Sequence, residues 1–154
     1  MFWRALFAFI AMPGMVAFVV PALWLWQSGA SLHNRWGGAV LGLGALGLLW
    51  CVRDFHVQGK GTLAPWSPPR NLVIVGLYRY SRNPMYVCVT LILLGWAVSF
   101  ASPGLLAYSV FVGLAFQLRV VYGEEPWLAR TYGATWEAYA KRVPRWLGRW
   151  WHGA

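Results

Sequence analysis

Acidic side chains are almost missing from this chain. Asp54, Glu124, Glu125 and Glu137 are the only four in 154 residues, against 13 lysines and arginines. Charged residues make up 11% of the total, where a soluble domain carries about 25%. That shortage excludes a water-soluble globular domain. Cysteine is equally scarce. Cys51 and Cys88 lie inside separate apolar runs and form no CxxC, so they read as helix packing, with no disulfide or metal site implied. No glycine-rich phosphate loop, Ser/His/Asp set or metal-ligand spacing occurs. No internal repeat or low-complexity segment is visible.

What is plentiful is apolar and aromatic: 59% of the residues are hydrophobic, and 12 are tryptophan. The net charge of +9 invites a nucleic-acid partner. The bases alternate with long apolar runs and form no solvated patch, which argues against nucleic acid and for anionic lipid headgroups. The expected fold class is an all-α integral membrane protein, one domain over 1–154. It has about four transmembrane helices and a C-terminal amphipathic helix.

The spans follow the apolar runs. Residues 2–26 form the first, interrupted by Pro13-Gly14 and Pro21, which membrane helices tolerate with a kink. No small-x-small cleavage site follows a compact apolar core, so an uncleaved span is expected. Residues 36–52 form the second, with Gly37, Gly38, Gly42, Gly44 and Gly47 giving a face that lets another helix approach. Arg53 to Val75, rich in proline, reads as a long loop of mostly extended backbone. His56 within it is a candidate base, although a lone interfacial histidine is more often structural. Spans three and four cover 84–100 and 105–122, joined by Ala101-Ser-Pro-Gly104. Beyond them Trp127, Leu128, Tyr132, Trp136, Tyr139 and Ala140 recur at spacings of three and four. That pattern predicts one amphipathic helix near the membrane surface, ended by Pro144. With four spans, every basic residue but Arg35 falls on the side of the two termini, which makes that side cytoplasmic.

One stretch organises the rest, Gly76-Leu-Tyr-Arg-Tyr-Ser-Arg-Asn-Pro-Met-Tyr86. Asn83 is a favoured N-cap and Pro84 a favoured first helical residue, so a helix starts there. Its unpaired N–H groups, with two arginines and three tyrosines nearby, suit an anionic ligand group. The stretch reads equally as a basic, aromatic flank of a membrane helix. Asn83, Tyr86 and Thr90 share one face of that helix. Glu124 and Glu125 form an acidic pair where charge is costly. They read either as acceptors for a ligand's hydroxyl or amino groups, or as salt-bridge partners of Arg82 or Arg119.

Gly76-x-Tyr78-x-x-x-Arg82-Asn83-Pro84-x-Tyr86 resembles the G-x-Y-x-x-x-R-H-P-x-Y motif of the isoprenylcysteine carboxyl methyltransferase and phospholipid methyltransferase superfamily. Glu124-Glu125-x-x-Leu128, Tyr132-Gly133, Trp136-x-x-Tyr139 and Val143-Pro144 resemble its second motif, and Arg70-Asn71-Leu72-Val73 its basic-x-L-V piece. The resemblance covers 61–147. Asn83 replaces the family's histidine and Trp136 a tyrosine; asparagine does not titrate and supplies no proton.

The resemblance implies S-adenosylmethionine-dependent methyl transfer to a lipophilic or small acceptor at the cytoplasmic face. The acceptor is isoprenylcysteine carboxylate-like, phospholipid-like or a thiol. Arg70, Leu72, Val73, Tyr78, Arg82, Asn83, Pro84, Tyr86 and Glu124 are the implied cofactor residues. Arg119, Glu125 and Arg142 are the implied catalytic side, with Arg145 a further candidate. Two other readings stay open, an NADPH-dependent sterol-reductase-like enzyme and a non-catalytic membrane scaffold.

Overall fold

A computed structural model of the chain describes residues 10–59 and 71–147. Among them every regular element is helical. The start of the expected first span, the loop over 60–70 and Arg70 lie outside the described residues.

A π-helical segment, Ile10–Val19, contains Pro13 and runs directly into α1, Val20–Ser28. The wider winding accommodates a residue that lacks an N–H. Pro21 likewise cannot donate to the Ala17 carbonyl one turn earlier. The indole of Trp96 does so instead, Nε1 to O at 3.0 Å, while the Tyr108 hydroxyl donates to the Val16 carbonyl at 3.3 Å. Backbone acceptors freed near prolines are thus satisfied by neighbouring helices, as an apolar environment requires.

Helix α2 spans Arg35–Gly59. Asn34 caps it, its side-chain oxygen accepting from Trp36 N at 2.9 Å. The helix runs a further seven residues past Val52 and so corrects the expected loop boundary. Arg53 to Gln58 contain no proline or glycine to stop it, and the polar side chains His56 and Gln58 are exposed.

Helix α3, Pro84–Ser99, packs antiparallel on α2. A Cβ on Gly37 would meet Ser99, one on Gly44 would meet Cys88 and Ile92, and one on Gly95 would meet Leu41, all within 3 Å. The α2 glycines therefore serve close helix packing. Gly38 and Gly42 do not join in, since a Cβ on either meets nothing within 4 Å. Leu48, Cys51, Val89, Ile92 and Leu93 fill the core beside this crossing, and Cys88 is buried with them.

Substituting Gly44 by leucine forces these two backbones apart. The expected loss is about 1–3 kcal/mol, seen as a lower unfolding midpoint in detergent. Gly38→Leu, into open space, should leave the midpoint almost unchanged.

Ser102 caps α4, Pro103–Arg119, by accepting from Leu105 N, with Pro103 at the first helical position. The short turn makes α3 and α4 antiparallel neighbours. The helical path then continues through a π turn, Val120–Glu124, into α5, Glu125–Tyr132. Gly133 breaks the path with φ of 51°, and α6 covers Ala134–Arg142. The expected single amphipathic helix is therefore two. Trp136, Tyr139 and Val143 are buried against Leu72, Leu128 and Tyr132.

Two helical stretches are long and apolar enough to cross a membrane, Arg35–Gly59 and Pro103–Tyr132; Pro84–Ser99 is a shorter apolar helix. Leu43, Leu46, Phe111 and Leu114 point outward from them, more than half exposed. Such faces suit hydrocarbon and would be a liability in water.

Candidate active site

Gly76 opens the first motif with φ of 56°, a conformation that side chains disfavour. It also lies over the end of α2, where a Cβ would stand 2.0 Å from Asp54 Oδ2. Asp54 is 6% exposed, and its Oδ2 has no hydrogen-bond partner among the described residues. Sequence reading placed Asp54 in a loop. The one available signal was an isolated acid in an apolar chain.

The turn Gly76–Arg79 is a short 3₁₀ helix that buries Tyr78. The Tyr78 carbonyl accepts the Tyr139 hydroxyl at 2.7 Å, tying the first motif to α6. Burial pushes both phenols up, that of Tyr78 far above its ordinary value. They are therefore neutral hydrogen-bonding groups at physiological pH.

Asn83 stands at the N-cap of α3, as expected, but its side chain does not cap. Its amide Nδ2 donates to the Arg145 carbonyl at 3.0 Å. The Ser81 hydroxyl donates to the same carbonyl at 3.3 Å, and Arg82 N donates to the Pro144 carbonyl at 2.9 Å. Residues 144–146 thus form a strap across the first motif. The capping expectation failed because these carbonyls offer the asparagine amide a partner far away in sequence.

The acidic pair divides its work. Glu125 pairs with two arginines, Arg82 Nη1 at 3.0 Å and Arg145 through two bonds at 2.7 and 2.8 Å. Arg82 also lies 5.5 Å from the Trp136 ring centroid. Burial lowers the Arg82 pKa, while the Glu125 hydrogen bond raises that of Arg145. An arginine stays charged under either shift. The group carries two positive charges against one negative, and the buried Arg82 Nε has no partner among the described residues.

Glu124 faces the other way. The π turn brings it to Tyr86, whose hydroxyl donates to Glu124 Oε1. Arg119 Nε donates to the same Oε1 at 2.8 Å and to the Tyr86 oxygen at 3.1 Å. No second bond engages Glu124 Oε2 among the described residues. Phe116 stacks on Tyr86 with centroids 4.3 Å apart.

One turn deeper, a cavity of about 290 Å³ opens between Val87, Thr90 and Leu91 of α3 and Gly113, Phe116 and Gln117 of α4, with Trp146 over it. Sequence reading missed Trp146 and Gln117 as a unit. Their bond, indole Nε1 to amide oxygen at 2.7 Å, joins residues 29 apart.

The structure therefore brings together Tyr78, Arg82, Asn83, Pro84, Tyr86, Arg119, Glu124 and Glu125. Val73 is buried in the core beside Tyr78, and Leu72 packs against Trp136 and Tyr139. Arg142 is apart, exposed on the last turn of α6 with no ion pair among the described residues. His56 is exposed on α2. No group of three or more His, Cys, Asp or Glu side chains converges among the described residues.

No solved structure matches the chain. A curated relative, the cobalt-zinc-cadmium resistance protein CzcN of Cupriavidus metallidurans, is 32% identical over 132 residues, covering 76% of this chain and 55% of that protein. The chain thus spans about half the length of the curated relative it matches. The family model for phospholipid methyltransferase matches residues 34–135, from the cap of α2 through both glutamates to the start of α6. The chain belongs to the phospholipid methyltransferase family.

Proposed function

We propose that this membrane protein transfers a methyl group from S-adenosylmethionine to a lipophilic acceptor at the cytoplasmic face. The observation that carries the reading is Glu124, held by Tyr86 and Arg119 with one carboxylate oxygen left over, where Tyr86 stacks on Phe116, a residue lining an apolar groove.

The residues present fit such a cofactor. Its hydroxyl and ammonium groups need acceptors, which the free oxygen of Glu124 supplies. Its carboxylate needs donors, and the Arg82–Arg145–Glu125 group has positive charge in excess. Leu72, half-buried, offers apolar surface, while Val73 and Tyr78 are buried in the core and support it from within. When bound, S-adenosylmethionine supplies an electrophilic sulfonium methyl. The chain's own part is alignment and exclusion of water. Arg119 and Tyr86 fix the Glu124 carboxylate, and Phe116 stacks on the Tyr86 ring. Asn83 holds the strap and carries no titrating proton. A carboxylate or thiolate acceptor needs no base, whereas an ammonium acceptor has to lose its proton first.

The proposed arrangement has four spans, over 2–26, 36–52, 84–100 and 105–122, with both termini cytoplasmic. The catalytic region covers 61–147. Reporter fusions at the C-terminus and at Ser102 test the orientation. The C-terminal fusion should report cytoplasm and the Ser102 fusion the opposite side; the reverse pattern contradicts it.

The activity is tested by methyl transfer from labelled cofactor to thiols, carboxylates and amines, each with short and long alkyl tails. Buried methylenes contribute about 0.8 kcal/mol each, so long tails should lower the apparent KM within the class that reacts. Equal reaction of short, water-soluble acceptors in every class would exclude a lipophilic substrate.

A further inference from the structure

We propose that Trp146 is the specificity-determining residue for the acceptor's apolar tail, forming a fixed wall of the groove between α3 and α4. The proposal rests on the methyltransferase reading above and adds a residue and a selection rule to it.

The groove adjoins the candidate site through one shared residue. Phe116 lines it and also stacks on Tyr86, which bonds Glu124. Its two polar side chains have their oxygens engaged, Thr90 Oγ1 on the Tyr86 carbonyl at 2.9 Å and Gln117 Oε1 on Trp146. What remains toward the space is apolar, so the fitting occupant is a hydrocarbon tail whose head group lies at Glu124 and Arg119. At about 290 Å³ the cavity is at the small end of ligand pockets, which run from about 300 to 1,000 Å³. In a space that small, the position of one wall decides what fits.

Trp146 is that wall, and it comes from the tail of the chain, not from a span. Four ties hold its segment: Arg82 N to the Pro144 carbonyl, Asn83 and Ser81 to the Arg145 carbonyl, and Arg145 to Glu125. The bond to Gln117 then fixes the indole itself. On α4, a Cβ added at the lining residue Gly113 would meet nothing within 4 Å, so a side chain can be introduced there without its Cβ displacing a neighbour.

These two positions allow opposite perturbations of one space. The measurement is kcat/KM for slim and bulky tails on whichever head group the wild type methylates, with S-adenosylhomocysteine affinity measured alongside. Trp146→Ala enlarges the groove and should raise the bulky-to-slim ratio about tenfold or more, the scale of small volume changes in apolar pockets. Gly113→Leu fills it and should lower the ratio by a similar factor. Trp146→Phe keeps most of the bulk and should leave the ratio near wild type. Cofactor-product affinity should stay unchanged in all three.

An unchanged ratio in both Trp146→Ala and Gly113→Leu overturns the proposal while leaving methyl transfer intact. If Trp146→Ala does not fold, Gly113→Leu alone decides, because its side chain enters free space. A wild type that binds no S-adenosylhomocysteine and transfers no methyl group refutes the methyltransferase reading itself.

Discussion

Replacing Glu125 by alanine should destabilise the folded chain by about 3 kcal/mol, the low end of the cost of breaking a buried ion pair. Its side chain is 15% exposed and that of Arg82 13%, so removing the carboxylate strands a guanidinium that water barely reaches. Arg145 is 34% exposed and recovers part of its hydration, which keeps the figure from the top of the range. The loss should appear as a lower thermal midpoint in detergent and as earlier proteolysis of the strap at Arg145. Arg119→Ala is the contrast. That pair is 49% and 32% exposed, so its removal should cost below about 1 kcal/mol of stability. Equal destabilisation by the two substitutions would contradict the division of labour between the glutamates.

Glu124→Gln should leave stability nearly intact and weaken S-adenosylhomocysteine binding by about 1.5–3 kcal/mol, roughly tenfold or more. The substitution preserves shape but removes the charge that the Tyr86 hydroxyl and Arg119 Nε converge on. Calorimetry on the variant separates this role from a structural one. An unchanged affinity would remove Glu124 from the cofactor site and leave it as a partner of Arg119.

The sequence carries the helices because their signals are local. Asn-Pro at 83–84 and Ser-Pro at 102–103 mark helix starts, and the glycines of α2 announce a close neighbour. The family motifs likewise point to the residues gathered around Tyr86 and Glu124. What stayed hidden depends on backbone geometry. Apolar period does not reveal the π turn at 120–124 that turns Glu124 toward Tyr86 and leaves Glu125 for the arginines. Gly133 looked like one residue of an amphipathic helix, yet its positive φ divides that helix in two. The strap is invisible for a related reason. Three of its ties end on main-chain carbonyls, which any residue provides, so nothing in the identities of Pro144 and Arg145 predicts them. Asn83 illustrates the outcome. Its type suits a helix cap, but tertiary structure gives it another partner.

The most direct test of the account is the wild-type protein, purified in detergent and titrated with S-adenosylhomocysteine and, separately, with NADPH. Methyl-group chemistry requires saturable binding of S-adenosylhomocysteine, weakened tenfold or more by Glu124→Gln, and no comparable binding of NADPH. Tight NADPH binding without S-adenosylhomocysteine binding would contradict the account and favour a reductase; binding of neither would favour a non-catalytic scaffold.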